Sequence, residues 1–297
     1  HRVLMIGGMG VALLALGACS SGSTVGTRVD TRTVRPLEEV AVVSVRTKKL
    51  YRNELGEPEI ENTNDLRTAV RLIEKADERR ARRAPPPFET ASAQVRDALF
   101  GPVQSAAPFS MSAEEPILKA AAYEDMRLHE NQNWRNSLFA TPDGYRPLDP
   151  ARLGGGAAVQ EVFAALPSDP DGLLFAETTY ALVREHEREE QTARAQGTSA
   201  HPPLSEGDTV AVDVKATVRV RVLDRRGNTA LRMSQTGRSP NGFAFVYGNG
   251  WTTDQIAPPS RQATTAALEK ITSYLRKNVP GRSLASTADA PALRPSE

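Results

Sequence analysis

The stretch "VAVDVKATVRVRVLD", residues 210–224, alternates apolar Val210, Val212, Val214, Ala216, Val218, Val220 and Val222 with Asp213, Lys215, Thr217, Arg219 and Arg221. Successive side chains of a strand point to opposite faces, so a period of two with one apolar set describes a strand with one face in a core and one in water. Arg225-Arg226-Gly227-Asn228 then supplies a turn, and residues 229–234 resume a strand. The reading is a long antiparallel hairpin, even-numbered valines inward, polar face outward.

Working back toward the N-terminus, residues 173–183 (LLFAETTYALV) predict a strand launched from the turn Ser168-Asp169-Pro170-Asp171-Gly172. Residues 40–45 (VAVVSV) predict a first strand; its lack of alternation suits a strand covered on both faces. Between these strands lie helical patterns. One covers residues 64–83, capped by Asn64 and ended by Pro85-Pro86-Pro87; a second covers 89–100, stopped by Gly101-Pro102. A third starts with Ser112 as N-cap and Glu115 completing a capping box, and continues to Met126. Residues 129–156 read as loop, and a short helix follows Gly154-Gly155-Gly156 as far as Leu166. The last helix, 260–277, carries Ala267, Leu268, Ile271, Tyr274 and Leu275 on one side, with Arg276 and Lys277 suiting its C-terminal dipole.

The fold class is therefore α/β (α+β): a mixed, largely antiparallel sheet with a long hairpin, backed by amphipathic helices, in a single domain over residues 39–280. Residues 20–38 are small and polar and read as a flexible tether; residues 281–297 have the composition of a disordered tail.

The single cysteine has a telling position. In "LALGACSSGS", residues 15–24, it ends an uncharged apolar run, residues 3–16, that sits behind Arg2 and falls short of the roughly 20 residues a membrane span needs. The tetrad Leu16-Gly17-Ala18-Cys19 resembles the lipobox of bacterial lipoproteins. That resemblance implies a signal peptide over residues 1–18, acylation of the Cys19 sulfur, and Cys19 as the mature N-terminus. The chain opens on His1, so the basic segment before the apolar run is expected to extend upstream. Ser20 in place of aspartate after the cysteine favours outer-membrane sorting under the enteric-type rule.

Composition narrows the function classes. Without residues 1–18 the 37 basic residues lose Arg2 alone and balance the 36 acidic ones, so net charge supplies no footprint for nucleic acid. A lone cysteine rules out an intramolecular disulfide, and stability must come from a core. No G-x-S-x-G, H-E-x-x-H or P-loop pattern occurs. His129, His186 and His201 have no ligand spacing, so neither metal nor cofactor is expected.

The charge run 184–190 and the cluster Arg79, Arg80, Arg82 and Arg83 read as solvated faces, and Gly154-Gly155-Gly156 as a loop. Residues 243–251 (FAFVYGNGW) concentrate aromatics in a chain with 5% of them, so Phe243, Phe245, Tyr247 and Trp251 are the candidate partner contact.

The order of elements, with "AVVSV", "DGLLFAETTYALV" and "VDVKATVRVRVLDRRGNTALRMSQTG", is similar to the α/β lipoproteins of the curli-secretion and Tol-associated type. In that group the hairpin reads strand, Asp, turn with Gly, strand; Asp224 and Gly227 fill those places, while the tryptophan common in the returning strand gives way to Leu231 or Met233. The expected function is a lipid-anchored periplasmic binding or assembly module without catalysis, contacting the membrane through acyl chains and another envelope protein or a second copy. The alternative is a lipid-anchored cell-wall or glycan hydrolase using paired carboxylates.

Overall fold

The computed structural model of the chain describes residues 28–29, 34, 37–54, 87–124, 138–151, 153, 156–184, 207–246 and 252–279. In chain order the elements are β1 (Arg28–Val29), β2 (Glu39–Asn53), α1 (Pro87–Ala98), β3 (Ser110–Met111), α2 (Glu114–Leu118), α3 (Ala121–Glu124), β4 (Phe139–Ala140), α4 (Gly156–Ala164), β5 (Gly172–Arg184), β6 (Thr209–Asp224), β7 (Thr229–Arg238), β8 (Phe243–Val246) and α5 (Thr253–Asn278).

The alternating stretch becomes β6, the centre of one mixed sheet in the order β1-β7-β6-β5-β2-β3, with β4 on β2 and β8 on β6. Pairing is antiparallel except for β2 with β3 and β2 with β5. β5 and β6 stay in unbroken register from Gly172 opposite Asp224 to Arg184 opposite Val212. At the hairpin, Asp224 Oδ1 accepts from the Arg226 and Asn228 amides at 2.9 and 2.8 Å. Gly227 sits at φ +81°, a backbone that suits glycine.

One face of the sheet is fully covered. Val218, Val220 and Val222 join Val42, Val45, Leu174 and Met233 against Val95 of α1, Leu99 just beyond it, and Leu268, Ile271 and Leu275 of α5. Toward the other end of the same face, Tyr51, Tyr180, Val212 and Val214 meet Phe88, Ile256 and Ala263. Tyr51 and Tyr180 pin α5 through hydroxyl contacts to Ser260 (2.8 Å) and Thr264 (2.7 Å). Gly237 lets α5 lie almost on β7: a Cβ there would fall 2.0 Å from the Ala263 carbonyl oxygen.

Among the described residues, the opposite face is covered at one end, where Ala41, Val43, Leu173, Phe175 and Leu223 pack against Ile117, Tyr123, Leu148, Val159 and Val162.

Several boundaries differ from those read in the sequence. β2 runs on to Asn53 because its polar residues beyond Val45 face the open side while Thr47 and Tyr51 stay buried. Ser112 is not a cap: its amide donates to the Val40 carbonyl as a continuation of β3, and Ala113 takes the N-cap position without side-chain capping. The predicted helix from there to Met126 is split, because Ile117 and Tyr123, six residues apart, would point to different sides of one helix and yet both reach Ala41 and Val43.

The Gly101-Pro102 stop is a kink rather than an end, with a further turn at Gln104–Ala106. Residues 129–156 include a strand, β4, on the free edge of β2.

The closing helix begins at Thr253 rather than Ser260, capped reciprocally by Thr252 and Gln255, because burial of Ile256 holds the first turns in place despite Pro258 and Pro259. Within the expected tether, Arg28–Val29 pairs with β7, and Val34 and Leu37 are buried. The predicted helix 64–83 and the tail lie outside the described residues.

Candidate functional site

The aromatic candidates divide. β8 pairs with the start of β6, placing Phe245 opposite Val210 and Phe243 opposite Val212. Both therefore turn to the helix-covered face. Phe245 is buried and Phe243 is half-buried against the same cluster, so Phe245 is a core residue, not a contact residue. The alternation in "FAFV" carried that signal. Tyr247 and Trp251 lie outside the described residues, as do Leu16, Gly17, Ala18, Cys19 and the three histidines after it. Of the charge run 184–190, Arg184 alone is described, and its carbonyl accepts from the Arg238 guanidinium at 2.5 Å.

The open face of the sheet gathers residues that the sequence keeps far apart. Parallel pairing of β2 with β5 and antiparallel pairing of β5, β6 and β7 put Arg46, Glu177, Arg219 and Ser234 in one row across four strands. In the adjoining rows Phe175, Arg221 and Arg232 stand abreast on one side, and Thr179, Thr217 and Thr236 on the other. Strand alternation gives Lys48 and Arg52 the same face as Arg46.

Contacts fix the recessed part of this face. Arg46, with a side chain only 8% exposed, donates from Nε to Glu177 Oε2 at 2.9 Å, approaches Asp149 Oδ1 at 3.4 Å, and lies 4.5 Å from the centre of the Phe139 ring. Glu177 also takes Nη1 of Arg219 at 3.2 Å, while Arg219 stays 46% exposed. Arg221 gives both Nε and Nη2 to the Thr229 hydroxyl, at 3.0 and 2.7 Å. The Thr217 and Thr236 hydroxyls are 3.1 Å apart. The loop carrying Pro147, Leu148 and Asp149 borders the row, tied down where Ser44 Oγ donates to the Leu148 carbonyl at 3.3 Å.

The electrostatics follow from crowding. Burial lowers the pKa of the Lys48 ammonium; Glu177 opposes that shift, and Arg52 and Arg219 add to it. Burial likewise lowers Arg221, reinforced by Arg232 and opposed by Asp149. Cations here press on one another.

The carboxylates of this face are held by cations: Glu177 by two arginines, Asp149 by Arg46, Glu54 by Lys215, and Asp213 by Arg238 at 2.7 Å. A carboxyl kept protonated as a general acid needs an apolar setting or a like charge beside it, and a guanidinium favours the opposite state. Among the described residues no group of three or more His, Cys, Asp or Glu is placed to hold a metal. No helix among them is long and apolar enough to cross a membrane. Chemically the face is a donor surface of guanidinium forks, the Lys48 and Lys215 ammoniums and hydroxyls, suited to holding an anion.

Arg219 and Arg221 were visible in the sequence as the wet side of the hairpin; Arg46, Lys48, Glu177 and Arg232 gave no sign of belonging with them. Neither a scan against protein-family models nor a search of the curated proteins finds a match for the chain.

Proposed function

We propose that this protein is a lipid-anchored, non-catalytic binding module of the bacterial cell envelope, held by acyl chains on Cys19 with its domain facing the periplasm, outer membrane favoured. The anchor reading rests on the tetrad Leu16-Gly17-Ala18-Cys19 behind an uncharged apolar run. The binding reading is carried by one observation. Among the described residues, the helical layer that buries one face of the sheet has no full counterpart on the other, where β2, β5, β6 and β7 present a polar, half-recessed surface beside the Asp149 loop. A long sheet burying only one face supports a recognition surface on its second, and the pairing of its carboxylates with cations argues against the hydrolase alternative.

Two measurements test this. Cys19→Ala is expected to shift the protein out of the membrane fraction; retention at wild-type level and resistance to alkaline extraction would refute the anchor. A photoreactive residue at Thr217, on the open face, is expected to give a crosslinked adduct in cells, while one at Glu269, exposed on α5, gives none. Adducts at Glu269 alone would move the recognition surface off this face.

A further inference from the structure

The open face carries more positive charge than its own carboxylates absorb. Arg46 is committed to Glu177, Asp149 and the Phe139 ring, and Arg219 keeps one 3.2 Å bond to the same Glu177. Among the described residues, Arg221 hydrogen-bonds to a threonine hydroxyl and no carboxylate forms an ion pair with Arg221 or Arg232. Lys48 adds a further cation over the row. A chain whose charges balance overall has thus concentrated cations on one patch of one sheet.

We propose that this patch is a binding site for a phosphoryl group of the phosphomonoester or pyrophosphate class, with Arg219, Arg221 and Arg232 as guanidinium ligands and Lys48 as a point charge. The inference deepens the reading of the open face as a recognition surface and is independent of the anchor. Arg219 and Arg221 are two residues apart on one strand, roughly 7 Å, and Arg232 is abreast of Arg221, roughly 5 Å away. Side chains of that length can reach one tetrahedral anion from such positions once Arg221 exchanges its bonds to the Thr229 hydroxyl for it. Guanidinium forks match phosphate oxygens two at a time, which a compact ammonium cannot do.

Charge count favours phosphate over a single carboxylate. Five cations, Arg46, Lys48, Arg219, Arg221 and Arg232, face Glu177 and Asp149, and a monoanion would leave most of the excess in place. Burial is the larger cause of the lowered Lys48 and Arg221; Glu177 opposes it at Lys48, where Arg52 and Arg219 add to it, and Arg232 adds to it at Arg221.

The test is calorimetric titration of inorganic pyrophosphate into the full chain reconstituted in phosphatidylcholine vesicles. Wild type is expected to bind, and Arg221→Ala with Arg232→Ala to weaken binding roughly tenfold or more, since each guanidinium supplies charge-assisted hydrogen bonds to the anion. The urea midpoint of that variant should match wild type. Equal weakening by Arg225→Ala with Arg276→Ala, exposed arginines elsewhere, would reduce the effect to net charge and overturn the site.

A poly-glutamate peptide binding as tightly as pyrophosphate would overturn the phosphoryl assignment in favour of an acidic protein partner. Phosphatidic acid mixed into the vesicles separates two sources of the same phosphomonoester chemistry, both consistent with the site: competition identifies a lipid headgroup, no competition a soluble phosphate. Crosslinks at Thr217 without pyrophosphate binding would retain the recognition surface and refute this ligand.

Discussion

Val218→Asp against Thr217→Asp puts the two faces of β6 in direct opposition. Val218 is fully buried among the residues packed beneath α1 and α5, with Thr178 and Gln235 as its cross-strand neighbours. Losing its burial costs about 2 kcal/mol. The new carboxyl avoids a bare buried charge by keeping its proton; against an unfolded pKa near 3.9 that costs about 4 kcal/mol at pH 7. The Thr178 hydroxyl, buried with no hydrogen-bond partner, lies directly across and returns about 1 kcal/mol. The net loss is about 5 kcal/mol, as large as the whole stability of many domains. In urea it lowers the midpoint by about 2 M for a slope of about 2–3 kcal/mol/M.

Thr217→Asp, half-exposed and flanked on its own face by Lys215 and Arg219, forfeits only the 3.1 Å contact to Thr236 and should change stability by less than about 1 kcal/mol. The pH dependence is diagnostic. In Val218→Asp the native state holds a proton that the unfolded chain has released, so stability falls as pH rises, by about 1.4 kcal/mol per unit between roughly pH 4 and 7. Most of the penalty should therefore vanish near pH 4. Equal losses in the two variants, or a Val218→Asp penalty independent of pH, would refute the assignment of faces.

Gly237→Ala should lower the thermal midpoint by about 10 °C, because the added Cβ would sit 2.0 and 2.4 Å from backbone atoms of Ala263 and Ala267 and α5 must lift off β7; an unchanged midpoint would mean that helix and strand do not approach this closely. Burial pushes the Tyr123 phenol up to about 12, as it raises Tyr51 and Tyr180, and its hydroxyl donates to the Val43 carbonyl at 2.6 Å. An unfolded tyrosine ionises near pH 10 while the folded one keeps its proton, so stability should drop between about pH 10 and 12 by about 1.4 kcal/mol per unit for this group. Urea midpoints taken across that range should fall less steeply in Tyr123→Phe, and identical slopes would refute its burial as a phenol.

Local patterns translated well where one side chain's direction follows from its neighbours along the chain. The hairpin, its Asp224 and Gly227 turn, and the apolar stripe of α5 were all legible for that reason. Reading failed where a distant contact overrode the local cue. Ser112 looks like a cap, yet its amide is claimed by Val40 more than 70 residues earlier. Pro258-Pro259 looks like a boundary, yet Ile256 is buried before it and Ser260 Oγ donates back to the Ile256 carbonyl at 2.6 Å. Phe245 looks like a surface aromatic from the glycines after it, yet pairing with Val210 turns it inward.

By itself the sequence determined the central part of β2, β5, β6 and β7 and, in β6, which face is apolar, because the pleat sets side-chain direction every second residue regardless of what lies alongside. It determined equally that Cys19 ends an apolar run in a lipobox-like tetrad, a property of contiguous residues. The tertiary structure alone decided that β5 lies between β6 and β2, antiparallel to β6 and parallel to β2, and so brought Arg46 and Arg219 to opposite sides of Glu177. Strand order is settled by the competition of all apolar faces for one core, an interaction with no local spacing, and the charged row on the open face follows from it.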